Sequence, residues 1–245
     1  MTRLSTAVLL ACSVLSAQAP QAAFEVADIR PSDPNVPMPG KGRVLPGGRI
    51  ELPGVTLKIM IMSAWGVQEN MISGLPKWAE SDRFDVVAKA PRGTPNADLR
   101  LMLQPVIADY FKLAYHREDR LTSAYVLTLG KGGSKLAEAA GDSNPEDPLC
   151  HWLAPENGLR RRECRNTTMA ELAREFPGLG GVGIDRPVVD QTGLAGSYDF
   201  DFAVGVGKPD DPGPTIFEAL ATLGLRLESR KAAVSVLVVD RVEKP

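Results

Sequence analysis

The chain has 245 residues, of which 44% are hydrophobic and 24% are charged, the composition of an ordinary globular protein. Its formal net charge of −2 at pH 7 gives no electrostatic reason to expect nucleic acid or anionic lipid as a partner. No stretch approaches the ~20 consecutive apolar residues that a membrane-spanning helix needs. Composition and charge therefore argue against an integral membrane protein and against a nucleic-acid-binding one.

The first residues have the pattern of a secretory signal peptide. Arg3 supplies a basic start, residues 4–15 are largely apolar, and the segment AQA at 17–19 offers small residues where signal peptidase reads the chain. We therefore predict a signal peptide over residues 1–19 and an exported protein, periplasmic or extracellular. The alternative is a lipoprotein anchored through Cys12, which would leave an unusually short signal.

A helix and four strands are predicted in the next part of the chain. Thr56 has the position of the helix N-cap, because its hydroxyl can accept a backbone N–H, and Gly66 has the position of the C-terminal stop. Apolar residues alternate with polar ones from Phe84 onward, as in a sheet with one covered face. The four strands are predicted within residues 24–29, 48–52, 72–78 and 83–91.

A second helix is predicted to begin at Thr94-Pro95, since proline favours the first turn, and Pro105 is expected to kink it. The segments FKLAYHRE (111–118) and YVLTLGKGG (125–133) are then expected to form a β-hairpin.

The rest of the chain repeats this order of elements. Two further helices are predicted to begin at Thr168 and Thr215, each of which precedes a glutamate by the spacing of a capping box. The strands are expected at 186–189 and 197–205, and a second β-hairpin is expected from the segments 225–231 and 234–242.

The repeated order predicts an α+β fold of two similar halves, each with two helices packed on a mostly antiparallel sheet. The first half covers residues 20–136 and the second covers 167–245. Between them, residues 137–166 are polar and are predicted to be an irregular connecting segment. Chance similarity of helix and strand order is the alternative to an internal duplication.

Removal of the signal peptide leaves two cysteines, Cys150 and Cys164. In an oxidising compartment such a pair is most simply a disulfide. A metal site that uses both cysteines and His151 is the alternative, but zinc sites usually have four ligands at closer spacing.

Asp190 follows an apolar strand and is the residue that most resembles a catalytic group. The catalytic loop of aspartic proteases has an uninterrupted Asp-Thr-Gly and a second such loop, because two carboxylates share one proton. Here Gln191 interrupts the motif, and the matching place in the first half has no acid. We therefore predict that Asp190 to Gly196 is a turn, in which the carboxylate bonds the backbone and the glycines take positive φ.

The two histidines, His116 and His151, are too few for the H-E-x-x-H zinc motif. His116 lies in a predicted strand with charged neighbours and is interpreted as part of a solvated face. His151 and Trp152 are candidates for contact with a ligand, because they lie in a loop where function concentrates. No catalytic, cofactor-binding or metal-binding residue is predicted, and no cofactor is expected.

The motifs FEVADIRPSDP, VTLKIMIMSAWGV, ISGLPKW, RFDVVAKAP, RPVVDQTGL and GSYDFDF together resemble a large family of secreted bacterial proteins. That family occurs in soil bacteria, especially acidobacteria, and is designated a domain of unknown function. The resemblance covers nearly the whole mature chain and implies export, with no catalytic residues to transfer. Related segments are similar to the extracellular part of antibiotic-sensor-type membrane metallopeptidases, which indicates sensing or binding. Parts of two helices also resemble N-terminal interaction domains of secretins, by analogy only.

These observations predict an exported, non-enzymatic module that binds a partner protein or a small-molecule ligand. One alternative is a secreted hydrolase whose dispersed site includes His151. The other is a structural component of the cell envelope.

Overall fold

The computed structural model describes residues 23–33, 43–45, 47–141, 150–176, 179, 183–206 and 213–245. The predicted signal peptide and its cleavage site lie outside these residues. The described chain forms three four-stranded sheets, mostly antiparallel, with helices packed on them. This architecture confirms the predicted α+β fold class.

The first sheet has the spatial order β1-β5-β3-β2, and every neighbouring pair is antiparallel. Its strands are β1 (Val26–Pro31), β2 (Arg43–Leu45), β3 (Arg49–Thr56) and β5 (Arg83–Lys89). Three helices accompany it, namely α1 (Leu57–Trp65), α2 (Trp78–Ser81) and α3 (Asn96–Phe111). Leu57, Ile107 and Phe111 are fully buried in the core of this half.

The helix boundaries of the first half follow local sequence signals. The Thr56 hydroxyl accepts the backbone N–H of Ile59 at 3.3 Å, and Gly66, in the left-handed conformation, caps the end of α1. Both predicted boundaries of α1 are therefore confirmed. Helix α3 continues through Pro105 as one 16-residue helix and ends at Lys112, which is also left-handed.

The second sheet has the order β7-β11-β9-β8, again with antiparallel neighbours. Its strands are β7 (Ala137–Glu138), β8 (Cys150–Trp152), β9 (Leu159–Thr167) and β11 (Tyr198–Gly205). The segment 137–166 was predicted to be irregular, yet its described part supplies three of these strands. Helices α4 (Met169–Glu175) and α5 (Ile216–Thr222) begin at the predicted capping boxes of Thr168 and Thr215.

The third sheet is built on two long strands, β6 (Ala114–Leu129) and β12 (Leu225–Arg241), which pair antiparallel along their whole length. The prediction of a β-hairpin in each half was therefore wrong, because each predicted hairpin is one continuous strand. The segments DRLTSA (119–124) and RKAA (230–233) contain no glycine, proline or asparagine. Asp119 and Ser123 can occur in turns, but without glycine, proline or asparagine beside them the strand continues through both segments.

Each edge strand of this third sheet pairs with the long strand that belongs to the other half of the chain. Strand β4 (Ile72–Ser73) runs parallel to β12, and β10 (Val188–Asp190) runs parallel to β6. The order β3-α1-β4-β5-α3-β6 thus corresponds to β9-α4-β10-β11-α5-β12, an arrangement compatible with two similar halves. Among the described residues no helix is both long and apolar enough to cross a bilayer.

Candidate functional site

A groove of about 830 Å³ opens between the helices of the two halves, beside the middle of the β6–β12 pair. Ligand pockets in proteins span roughly 300–1,000 Å³, so this groove has the size of a small-molecule site. It is lined by the C-terminal end of α1, by α3, by α4, by β10 and by the central residues of β6 and β12.

The end of α1 is fixed where it borders the groove. The Gln104 side chain on α3 donates a hydrogen bond to the Ala64 carbonyl oxygen at 2.8 Å. The side chain of Arg174 on α4 packs so closely on Gly66 that a Cβ atom there would lie 2.3 Å from Arg174 Cδ. Helix α3 of the first half and helix α4 of the second half therefore both fix the position of the end of α1.

Three arginines line the groove: Arg100 on α3, Arg117 on β6 and Arg174 on α4. Within the described parts of the chain none of the three forms an ion pair, whereas Arg162, outside the groove, pairs with Glu175. Guanidinium groups bind carboxylate and phosphate groups through two parallel hydrogen bonds. The groove therefore contains uncommitted donors that suit an anionic group.

Arg100 is half-buried, and its surroundings oppose its charge. Burial lowers the pKa of the Arg100 guanidinium and the positive charge of Arg174 lowers it further, while Glu175 and Glu171 partly counteract this. A lowered pKa means that the charged form is less stable here than in water. The groove thus holds a partly desolvated positive charge without a full counter-charge.

Four acidic residues also line the groove, and two of them have structural partners. The Glu171 carboxylate accepts the Thr168 backbone N–H at 2.9 Å, which completes the capping box of α4. Asp190 bonds to the turn that follows it. The other two acids, Asp98 and Asp119, have no ion pair among the described residues.

Asp190 shapes a turn, as predicted. Its Oδ1 atom accepts the backbone N–H of Thr192 at 2.9 Å and the Thr192 hydroxyl at 2.8 Å. Gly193 and Gly196 have φ values of 70° and 107°, which confirms their predicted positive φ. The sequence did not indicate that Asp190 would also lie at the groove.

Trp65 forms part of the apolar wall of the groove and is 6% exposed. Its indole ring lies edge-on to Tyr115, with ring centroids 5.2 Å apart. The Nε1–H group is buried and has no hydrogen-bond partner among the described residues. Buried indole N–H groups usually have a partner, so this donor is unusual.

The predicted ligand candidates His151 and Trp152 lie on β8, away from the groove. His151 Nε2 is 3.4 Å from a Glu163 carboxylate oxygen. The Arg160 guanidinium lies 4.5 Å from the centre of the Trp152 ring, and Arg162 lies 5.2 Å from it. The structure thus surrounds the two candidates with side chains of β9 and does not bring them to the groove.

Cys150 and Cys164 face each other across β8 and β9 and are joined by a disulfide of 2.06 Å. This geometry is compatible with the predicted pairing. The described residues contain no group of three or more histidine, cysteine, aspartate or glutamate side chains that could hold a metal ion.

Sequence reasoning missed the groove arginines because each has an ordinary local context. Arg100 and Arg174 lie on amphipathic helices, where charged residues normally face solvent. Only the folded chain, in which α3 packs on α1 and α4 packs on β10, brings the two side chains to one groove. The shared position of these arginines is therefore visible only in the folded structure, because no local sequence motif indicates it.

Comparison with known proteins gives one match. Neither the curated proteins nor the solved structures match the chain significantly. The sequence model of a family described as "Protein of unknown function (DUF3738)" matches residues 58–242. The matched span begins within α1, ends just after β12, and includes every residue that lines the groove. The chain therefore belongs to the DUF3738 family of proteins of unknown function.

Proposed function

We propose that the protein is an exported binding module that holds a small molecule in the groove between its two halves. The groove itself is the observation that carries this proposal, because it combines a volume of about 830 Å³ with apolar walls and uncommitted charged groups. Export is supported by the signal-like pattern of residues 1–19 and by the pairing of Cys150 with Cys164.

The apolar part of the groove supports binding of an organic molecule. Leu101 is 54% exposed, which is high for a large apolar side chain, and it lies at the groove. Exposed apolar surface rimmed by polar residues marks interaction sites. Other apolar side chains along the same groove are Trp65, Met71, Val189 and Val234.

The same geometry favours binding over the hydrolase alternative. Neither His116 nor His151 lines the groove. His116 Nδ1 lies 2.9 Å from an Asp240 carboxylate oxygen, and both side chains are about half-exposed. Histidine-dependent catalysis would therefore need another location on the protein.

Blocking the groove tests the proposed function. The protein would be expressed with its signal peptide, and the mature form that begins after residue 19 would be purified. Native mass spectrometry would then show whether it retains a small molecule. Ala170 is exposed and lines the groove, so Ala170→Trp should fill the opening and abolish retention. Ala195 is exposed and lies outside the groove, so Ala195→Trp is the matched control and should retain the molecule. Equal retention by both variants, or no retention by the wild type, would refute the proposal.

The export part has its own measurement. Intact mass of the protein from a periplasmic or culture-medium fraction should equal that of the chain without residues 1–19. Full-length protein confined to the cytosol would contradict export and leave the groove proposal standing.

A further inference from the structure

We infer that the groove takes an amphipathic organic anion: a carboxylate, phosphate or sulfonate group held by Arg100 and Arg174, attached to an apolar body that lies against Trp65 and Leu101. This inference rests on the proposed binding function and adds the chemical class of the ligand.

The first argument is the state of the two helix arginines. Arg100 is half-buried, Arg174 is near enough to repel its charge, and both line the same groove. Arg174 is exposed, so the desolvated charge is that of Arg100, and a second positive charge nearby makes it less stable unless an opposite charge joins it. An anion between the two guanidinium groups would supply that charge.

The second argument is that the nearby carboxylates are committed elsewhere. Glu175 and Glu171 are the acids that act on Arg100. Glu175 pairs with the buried Arg162, and Glu171 bonds to the backbone N–H and hydroxyl of Thr168. Neither acid forms an ion pair with Arg100 in the described chain, so an anionic ligand could supply the direct partner that Arg100 lacks.

The third argument concerns the rest of the molecule that is bound. A small inorganic anion would fill only a fraction of a groove of about 830 Å³. Trp65 and Leu101 border the same space and offer apolar surface beside the arginines. These groups fit an anion with an aromatic or aliphatic body.

The acids Asp98 and Asp119 at the groove would favour a cationic ligand instead. The solvent exposure of their carboxylates makes this less favourable than binding of an anion. Asp119 is exposed and Asp98 is half-exposed, so water solvates both carboxylates. An ion pair stabilises a solvated charge only slightly, whereas it stabilises a partly desolvated charge more strongly. Arg100 is the desolvated charge, so the anion is preferred.

Two fluorescent probes test the inference directly. Anilinonaphthalene sulfonate is an amphipathic anion, and N-phenylnaphthylamine is its neutral counterpart without the sulfonate. Wild-type protein should bind the anionic probe more tightly. Arg100→Gln and Arg174→Gln should each weaken that probe about tenfold, since a lost hydrogen bond to a charged group has about that effect. Both variants should bind the neutral probe as the wild type does.

Arg241→Gln is the matched control, because Arg241 is exposed, pairs with Glu243 and lies outside the groove. It removes the same charge and should leave both affinities unchanged. Circular dichroism checks that each variant is folded. Arg117→Gln repeats the test on β6 if a helix variant loses its fold, and a smaller loss is expected because Arg117 is not among the groups that act on the Arg100 charge.

Competition experiments distinguish the contribution of the anionic head group to binding from that of the apolar body. Phenyl phosphate should displace the anionic probe at a lower concentration than inorganic phosphate does. Vesicles of anionic lipid should not displace it, because the inferred ligand is a free small molecule; displacement by vesicles would place the anion on a membrane and overturn the inference.

The outcomes distinguish this inference from the proposed function. If neither probe binds and Ala170→Trp changes nothing, the groove is not a binding site and both proposals fail. If Ala170→Trp blocks binding but the arginine variants keep full affinity for the anionic probe, the groove binds a ligand and the anionic class is wrong.

Discussion

The side chain of Arg174 occupies the space into which a side chain at Gly66 would project. A Cβ atom built on Gly66 lies 2.3 Å from Arg174 Cδ, and Gly66 has the left-handed φ of 61° that ends α1. The backbone at residue 66 therefore favours glycine, and a side chain there would in addition require the flexible Arg174 side chain to move.

Gly66→Ala should destabilise the protein more than glycine replacement at another left-handed position. The left-handed backbone alone costs about 1–2 kcal/mol with a Cβ atom, and the contact with Arg174 adds to that. Urea denaturation would measure the change in the free energy of unfolding. Gly193→Ala is the control, since its φ is 70° and no atom lies within 4 Å of the added Cβ.

The double variant Gly66→Ala with Arg174→Ala separates the two contributions. Removal of the arginine side chain should recover the part of the loss that is due to the contact. Equal losses for Gly66→Ala and Gly193→Ala would show that the contact has no energetic consequence.

Asp190→Ala should lower stability by about 1 kcal/mol, because it removes an acceptor for the backbone N–H and the hydroxyl of Thr192. Asp190→Asn keeps an acceptor oxygen and should lose less. Thermal unfolding of the two variants provides the comparison. Equal losses in the two variants would indicate that the charge, and not the acceptor oxygen, is what matters at this position.

Reduction of the Cys150–Cys164 disulfide should cost about 3 kcal/mol of unfolding free energy, the chain-entropy value for a loop of this length. Urea denaturation with and without a reductant would measure it. Mass spectrometry of unreduced peptides should show the two cysteines linked in exported protein. Two free thiols in that sample would contradict the pairing.

The Glu218 carboxylate should stabilise α5 in a pH-dependent way. Hydrogen bonds from the Thr215 backbone N–H and hydroxyl lower the pKa of Glu218 below its ordinary value of 4.5. A lowered folded-state pKa contributes stability above the unfolded pKa, and that stability is lost as the pH falls through the folded pKa.

The melting temperature of Glu218→Gln should therefore lie below that of the wild type at neutral pH. The difference should shrink as the pH is lowered through about 4.5 and beyond, since protonation removes the charge that glutamine lacks. A difference that stays constant from neutral to acidic pH would mean that the carboxylate charge does not contribute.

Local signals predicted four of the five α-helices among the described residues, and the short helix α2 was missed. Thr56, Thr168 and Thr215 each accept the backbone N–H three residues later, as their spacing indicated. Such contacts join residues that are close in the sequence, so they can be predicted from the local sequence. The turn at Asp190 was predictable for the same reason.

The long strands and the groove were not predictable from local pattern. Alternating residues of β6 are compatible both with a hairpin arm and with a continuous strand, and the deciding partner is β12, far along the chain. The groove depends on the same pairing, because residues of β6 and β12 line it together with α3 and α4. Arg100 and Arg174 acquire a shared environment only after that assembly.

The exchange of edge strands also has a consequence for biosynthesis. Leu237 and Val239, near the end of β12, belong to the hydrophobic core of the first half, and β4 has its pairing partner at Leu237. The N-terminal portion therefore has no complete core until the end of β12 has been synthesised and has left the ribosome. Contacts between distant segments form slowly and leave apolar surface uncovered meanwhile. The apolar surface of the first half therefore stays uncovered during folding for longer than it would in a half that contained its own complete core.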